Sequence, residues 1–217
     1  MLKYTRRTLL AATAALTLAA CGQADTQTAP DTGPAINDIV LGDVDAPVTL
    51  TEYASWTCPA CLQFHNDVMP MLKAEYIETG KVKLVFREFP TPPVNISVAG
   101  FSLARCAGAE TYADSLDRLF AAQTPILNLA RTGGDVDQGL RDLATSLGIT
   151  GEAYDTCLGS TEVRNAIIDA LTRGDSQGVN STPTVFLNGE KLSGYDWRQP
   201  AGMRTLIEDA LSPTESE

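Results

Sequence analysis

The chain has 217 residues, with 27 Asp and Glu against 16 Lys and Arg for a formal net charge of −11. So acidic a surface argues against nucleic acid or anionic lipid headgroups as partners. With hydrophobic side chains at 44% the chain can build one ordinary core, and a single histidine leaves no convincing Ser-His-Asp set.

In chain order, Lys3, Arg6 and Arg7 precede an apolar run over residues 8–20, and Leu18-Ala19-Ala20 leads into Cys21. This pattern reads as an export signal over residues 1–20, too short to span a bilayer, which takes about 20 apolar residues. Leu18-Ala19-Ala20-Cys21 resembles the bacterial lipoprotein signal, in which the cysteine becomes a lipidated N-terminus. Plain cleavage that leaves Cys21 as a free thiol is the alternative. Arg6-Arg7 leaves both general and twin-arginine export open. Residues 21–35 have no aliphatic side chain larger than alanine and form a tether, residues 36–211 amount to one domain, and residues 212–217 are an acidic tail.

Val48-Thr49-Leu50-Thr51-Glu52-Tyr53-Ala54 reads as a central strand. A helix is expected over residues 59–78, kinked by Pro70 and closed near Gly80. Val82-Lys83-Leu84-Val85-Phe86-Arg87 returns as a second strand, and a strand-helix-strand order of this length makes a parallel βαβ unit. Residues 94–178 show only helical periods. Within them Asp135 with Gln138 opens one helix, and Ser160 or Thr161 caps another. Thr184-Val185-Phe186-Leu187, the turn Asn188-Gly189 and Glu190-Lys191-Leu192 form a hairpin, and residues 200–211 a last helix. The fold class is therefore α/β: a mixed sheet flanked by helices, with an all-helical block inserted.

The chemistry concentrates in Cys58-Pro59-Ala60-Cys61. Pro59 suits the first helical position, which makes Cys58 the N-cap. There, unpaired backbone N–H groups and the helix dipole lower its pKa from about 8.5, as a nucleophile and leaving group needs. Cys61, one turn further, is the resolving thiol. Pro59 and Ala60 bring no positive side chain, so the shift is expected to be smaller than where a histidine stands between the cysteines. Glu52, six residues before Cys58, either sits beneath the pair as a proton relay or faces water at a strand edge. For Thr182-Pro183, spacing alone favours a trans peptide bond.

Asp45-Ala46-Pro47, Glu52-Tyr53, Cys58-Pro59-Ala60-Cys61, Phe64-His65, Phe86-Arg87-Glu88-Phe89-Pro90 and Gly178-Val179-Asn180-Ser181-Thr182-Pro183-Thr184 together resemble the DsbA-like branch of the thioredoxin superfamily. The resemblance covers residues 38–211. It implies a thioredoxin fold with Cys58 as exposed nucleophile, Cys61 as buried partner, Glu52 as buried acid, Pro183 as a cis-proline against the disulfide, and Thr182 as a backbone partner for an extended substrate. Ala60 stands where the most oxidising members have histidine, which bears on the direction of electron flow: oxidation of cysteine pairs in exported proteins is the expectation, with a reductase or isomerase as the alternative.

In an oxidising compartment the two leftover cysteines, Cys106 and Cys157, most simply pair, as second pairs do in some relatives. Closing that loop contributes up to roughly 4 kcal/mol, and two separate buried thiols are the alternative. Two readings of another class remain: a zinc site of Cys58, Cys61 and His65, and a lipid-anchored peptide-binding chaperone. The expectation is an envelope thiol-disulfide oxidoreductase, periplasmic and monomeric, that needs no bound cofactor or metal. It would be held at a membrane by lipid on Cys21, would act on thiol-containing exported proteins, and would be reset by a membrane redox partner.

Overall fold

The structure, a computed structural model, describes residues 38–212. The export signal, Cys21, the tether and all of the acidic tail except Ser212 lie outside the described residues.

Five strands, β1 (Ile39–Leu41), β2 (Val48–Ala54), β3 (Val82–Glu88), β4 (Thr184–Leu187) and β5 (Glu190–Lys191), form one sheet in the order β1-β3-β2-β4-β5. Only the central β2–β3 pair is parallel, and the other three pairs are antiparallel. β2 is buried along its whole length because both of its faces are covered. Val48 and Leu50 pack with Val82, Leu84 and Val185 under Phe64, Leu72, Met203 and Ile207. Tyr53 points the other way, to Val179, Phe186 and Phe89. By the two-residue period of a strand, Glu52 shares the face of Val48 and Leu50. The short edge strand β1, too brief to leave a sequence pattern, is an addition to the expected sheet.

The first helix is not a single kinked rod. α1 (Pro59–Asp67) stops, α2 (Met69–Leu72) follows, and a π-helical turn, Lys73–Ile77, completes the crossover. Pro70 has no N–H to give to the carbonyl of Asn66, and its ring crowds that carbonyl, so the ladder breaks there.

Between β3 and β4 lie α3 (Val94–Ala107), α4 (Tyr112–Thr132), α5 (Val136–Ser146), α6 (Glu152–Gly159) and α7 (Thr161–Ser176), and α8 (Pro200–Leu211) ends the fold. Asp135 caps α5 by accepting from the backbone N–H of Gln138 at 2.9 Å, and Ser160 caps α7 through Val163. A disulfide between Cys106 and Cys157, with Cα atoms 6.1 Å apart, ties α3 to α6.

The helical block is fastened to the sheet by charges buried at the end of β3. Arg105 Nε donates to Glu88 Oε1 at 2.6 Å and the Tyr112 hydroxyl to the same oxygen at 2.8 Å. One residue earlier, Arg87 reaches Asp38 at 2.7 Å, and Arg173 of α7 meets the same carboxylate at 3.2 Å. Each carboxylate collects several donors, the condition under which a buried charge is tolerated. Among the described residues, no helix is long and apolar enough to cross a membrane.

Candidate active site

Where β2 ends, the chain must turn sharply to start α1, and it does so through Ser55-Trp56-Thr57. Ser55, Trp56 and Thr57 are all buried, and their polar groups bond inward. Ser55 Oγ lies 2.8 Å from Thr57 Oγ1 and 2.9 Å from Ser97 Oγ of α3, and the Trp56 indole N–H donates to the Ser97 carbonyl at 2.9 Å. Gln123 of α4 closes the arrangement: its side-chain amide donates to the carbonyls of Trp56 at 2.6 Å and Cys58 at 3.0 Å. Neither Gln123 nor this hydroxyl network belongs to the expected site. A signal for Gln123 exists in retrospect, since it occupies the helical register of Leu116, Leu119, Phe120 and Ile126, a polar residue within an apolar stripe.

Cys58 is the N-cap of α1, in extended backbone conformation and followed by Pro59 at the first turn. Pro59 and Ala60 are exposed, Cys58 is half-buried and Cys61 is wholly buried. Both cysteines are free thiols. The two differ sharply in acidity. A hydrogen bond from the Cys61 thiol, opposed by partial burial and helped by Thr182 and the backbone N–H groups of Cys61 and Ala60, brings Cys58 down from the ordinary thiol range to about 5. Burial pushes the Cys61 thiol far up, and the neighbouring Cys58 and Glu52 charges push it further. Near neutral pH the pair is thus a thiolate beside a thiol.

Glu52 does not face water. It is buried, and burial raises its carboxyl from 4.5 to about 8. A void of about 10 Å³, roughly the space of one water, joins it to His65, Lys73 and Asp117. His65 is held by Asp117 Oδ1 at 2.9 Å and stacked on Phe120 at 4.4 Å, and burial lowers its pKa. Its imidazole is therefore committed to α4, which removes the third ligand of the zinc alternative. Among the described residues no three His, Cys, Asp or Glu side chains gather as a metal site.

Thr182 and Pro183 meet Cys58 from the other side. The Thr182–Pro183 peptide bond is cis, against the expectation from spacing alone and in line with what the resemblance implies. The trans preference before proline is only about 0.5–1 kcal/mol, small enough for packing to override. Cys58 Sγ lies 3.4 Å from the Thr182 carbonyl oxygen, to which it donates when protonated, and Pro183 is buried beside it.

A paired cysteine motif at a helix start, a buried acid on the central strand and a cis-proline opening the antiparallel strand beside it are together the features of one family. The sequence pattern of the family described as "Thioredoxin" matches residues 35–209. The chain belongs to this family. Within the thioredoxin family it is similar to a putative protein-disulfide oxidoreductase of Rickettsia bellii, 30% identical over 166 residues that make up 73% of this chain and 60% of the relative. The chain thus spans about three-fifths of that relative's length. It is also 27% identical to disulfide bond formation protein D of Bacillus subtilis, over 72% of this chain and 70% of the relative. Among solved structures, alpha-DsbA1 of Wolbachia pipientis superposes with a TM-score of 0.72 at 26% identity, covering 82% of this chain and 93% of the other. The helical block between β3 and β4 is part of this DsbA-like fold.

Proposed function

We propose that the protein is a thiol-disulfide oxidoreductase that oxidises cysteine pairs in exported proteins. The observation that carries this reading is the unequal pair, a half-buried Cys58 that favours the thiolate and a buried Cys61 that favours the thiol.

In the oxidising direction a substrate thiolate attacks Cys58 Sγ of the Cys58–Cys61 disulfide, and that bond breaks with Cys61 as leaving group. Cys61 takes up a proton, for which Glu52, protonated near neutral pH by its burial, is the adjacent donor. A second substrate thiolate then attacks the substrate sulfur of the mixed disulfide and expels Cys58 as a thiolate. The substrate loses two electrons and the cysteine pair gains them. A low Cys58 pKa makes it a good leaving group in the last step and stabilises the reduced protein, which is what a disulfide donor requires. Thr182 holds the substrate backbone and Pro183 keeps it against Cys58.

Residues 1–20 serve as the export signal, Cys21 carries the lipid, residues 21–35 are the tether, residues 36–211 the catalytic domain and residues 212–217 an acidic tail. The protein acts as a monomer on the periplasmic side of a bacterial envelope, and a membrane redox partner reoxidises it.

The test is the equilibrium reduction potential of the Cys58–Cys61 pair in glutathione buffers. A value near about −120 mV makes it a disulfide donor, whereas one near about −270 mV makes it a reductase and overturns the proposed direction. Absence of any two-electron transition overturns the redox reading. Retained binding of cysteine-containing peptides by Cys58→Ser alongside that absence points to the chaperone alternative.

A further inference from the structure

The cleft of about 280 Å³ that opens beside Pro183 differs in charge from the rest of the molecule. Its walls include Ser181, Thr184, Lys191, Tyr195 and Arg198, two cations with no carboxylate, in a chain where acids outnumber bases 27 to 16. Both cations are held in place by neutral groups. The Arg198 guanidinium lies 3.9 Å over the Trp197 ring and 5.1 Å from the Tyr195 ring, and its Nη1 donates to the Gly194 carbonyl at 3.0 Å. Lys191 Nζ donates to the Gly178 carbonyl at 3.0 Å. Neither has a carboxylate partner among the described residues. The nearest acids in sequence stand apart from this wall: Asp196 lines a neighbouring cleft, and Glu190 precedes Lys191 on β5, where alternation sends it to the other face. Tyr195 is 80% exposed, an aromatic left open to solvent in the cleft that Pro183 also lines.

We propose that this cleft selects substrate segments that carry an aspartate or glutamate two residues from the reacting cysteine. The inference rests on the proposed function and names the substrate class of the same site. Thr182 sits 3.4 Å from Cys58 Sγ and leads directly into Pro183, which lines the cleft. A segment extended along Thr182 with its cysteine at Cys58 places its next side chain on that face about 7 Å further along, two residues at about 3.4 Å each. Because Ser181, Pro183 and Thr184 flank Thr182 and line the cleft, that side chain is offered to it. A carboxylate there receives charge-assisted hydrogen bonds from the guanidinium and ammonium groups, while its methylenes rest on Tyr195 and Pro183. The overall negative charge of the protein does not cancel this, since at physiological salt it is screened beyond about 8 Å.

The experiment is a competition on a Cys61→Ala form of residues 22–217, in which Cys58 is the remaining thiol of the pair. Three cysteine peptides, identical except for Asp, Asn or Phe two residues from the cysteine, are supplied in pairs as thionitrobenzoate mixed disulfides. Cys58 thiolate attacks the peptide sulfur, a new S–S bond forms and thionitrobenzoate leaves. The mass ratio of the two adducts is divided by that obtained with mercaptoethanol, which removes the intrinsic effect of the charge. The Asp peptide is expected to be favoured about fivefold, with the ratio falling towards one in high salt and in Lys191→Gln/Arg198→Gln. A ratio at or below one in the parent at physiological salt, for peptides with the residue on either side of the cysteine, overturns the proposal, as does a preference that the double variant and high salt leave unchanged. A preference for Phe over both Asp and Asn would reassign the cleft to aromatic side chains on Tyr195 and likewise overturns it. The competition needs no turnover, so its failure is distinct from that of the proposed function, which the reduction potential of the unaltered pair decides.

Discussion

Replacing Glu52 by glutamine tests the buried acid through stability alone. Burial holds this carboxyl at about 8 in place of 4.5, so the folded protein binds its proton more tightly than the unfolded chain does. The stability linked to that proton is complete below about pH 4.5 and is lost as pH rises through 8. Linkage puts the loss at about 3 kcal/mol by pH 7, levelling off at about 5 kcal/mol above pH 9, both as ceilings. Glutamine cannot ionise, so the Glu52→Gln variant escapes this loss. The assay is urea unfolding of variant and parent at pH 4, 7 and 9 with the Cys58–Cys61 pair reduced, read as the difference in unfolding free energy at unchanged m-value. That difference should move in favour of the variant by about 3 kcal/mol between pH 4 and 7. Any fixed cost of fitting an amide into the site cancels, because only the slope is read. A difference that stays flat across the whole range would falsify the assignment of Glu52 as a buried acid near pKa 8.

Two further outcomes follow from the same site. The ultraviolet absorbance of the Cys58 thiolate should rise with a midpoint at about 5, and a midpoint at or above a free thiol's value of about 8.5 refutes the thiolate-favouring helix start. Gly100→Ala on α3 should lower the unfolding free energy by about 1–3 kcal/mol in a denaturant melt, because a Cβ there would overlap the fully buried indole of Trp56. No measurable change would mean that the Trp56 wall can give way.

Elements with local chemical punctuation were readable from the sequence. Pro59 announced the first helical position, and with it the placement of Cys58. Asn188-Gly189 announced the hairpin: both residues sit at positive φ, 49° and 86°, which these two residue types tolerate best. Asp135 and Ser160 marked helix starts by the same logic. What escaped was set by distant partners. Arg87 and Glu88 look like a polar strand end until Asp38, Arg105 and Tyr112 are seen to bury them. Glu52 remained undecided between water and core for the same reason, because a strand's alternation gives its face but not what covers that face. Pro70 marks the place of the disturbance in the first helix, but as a kink and not the break that occurs, and the π-helical turn after it has no mark in the residues themselves. The cis bond before Pro183 was legible only through the resemblance.

Gln123 has a consequence for the order in which the molecule becomes competent. The cysteines emerge early from any process that feeds the chain N-terminus first, yet the carbonyls of Trp56 and Cys58 are clamped by a side chain about 65 residues downstream, and the floor against Cys58 is supplied later still by Thr182. A chain that ends at β3 therefore lacks both of these contacts. Selective reactivity is a property of the finished chain: the helical block is half of the mould in which the catalytic turn is cast, and trimming it to a minimal thioredoxin core would leave the motif intact while removing its support.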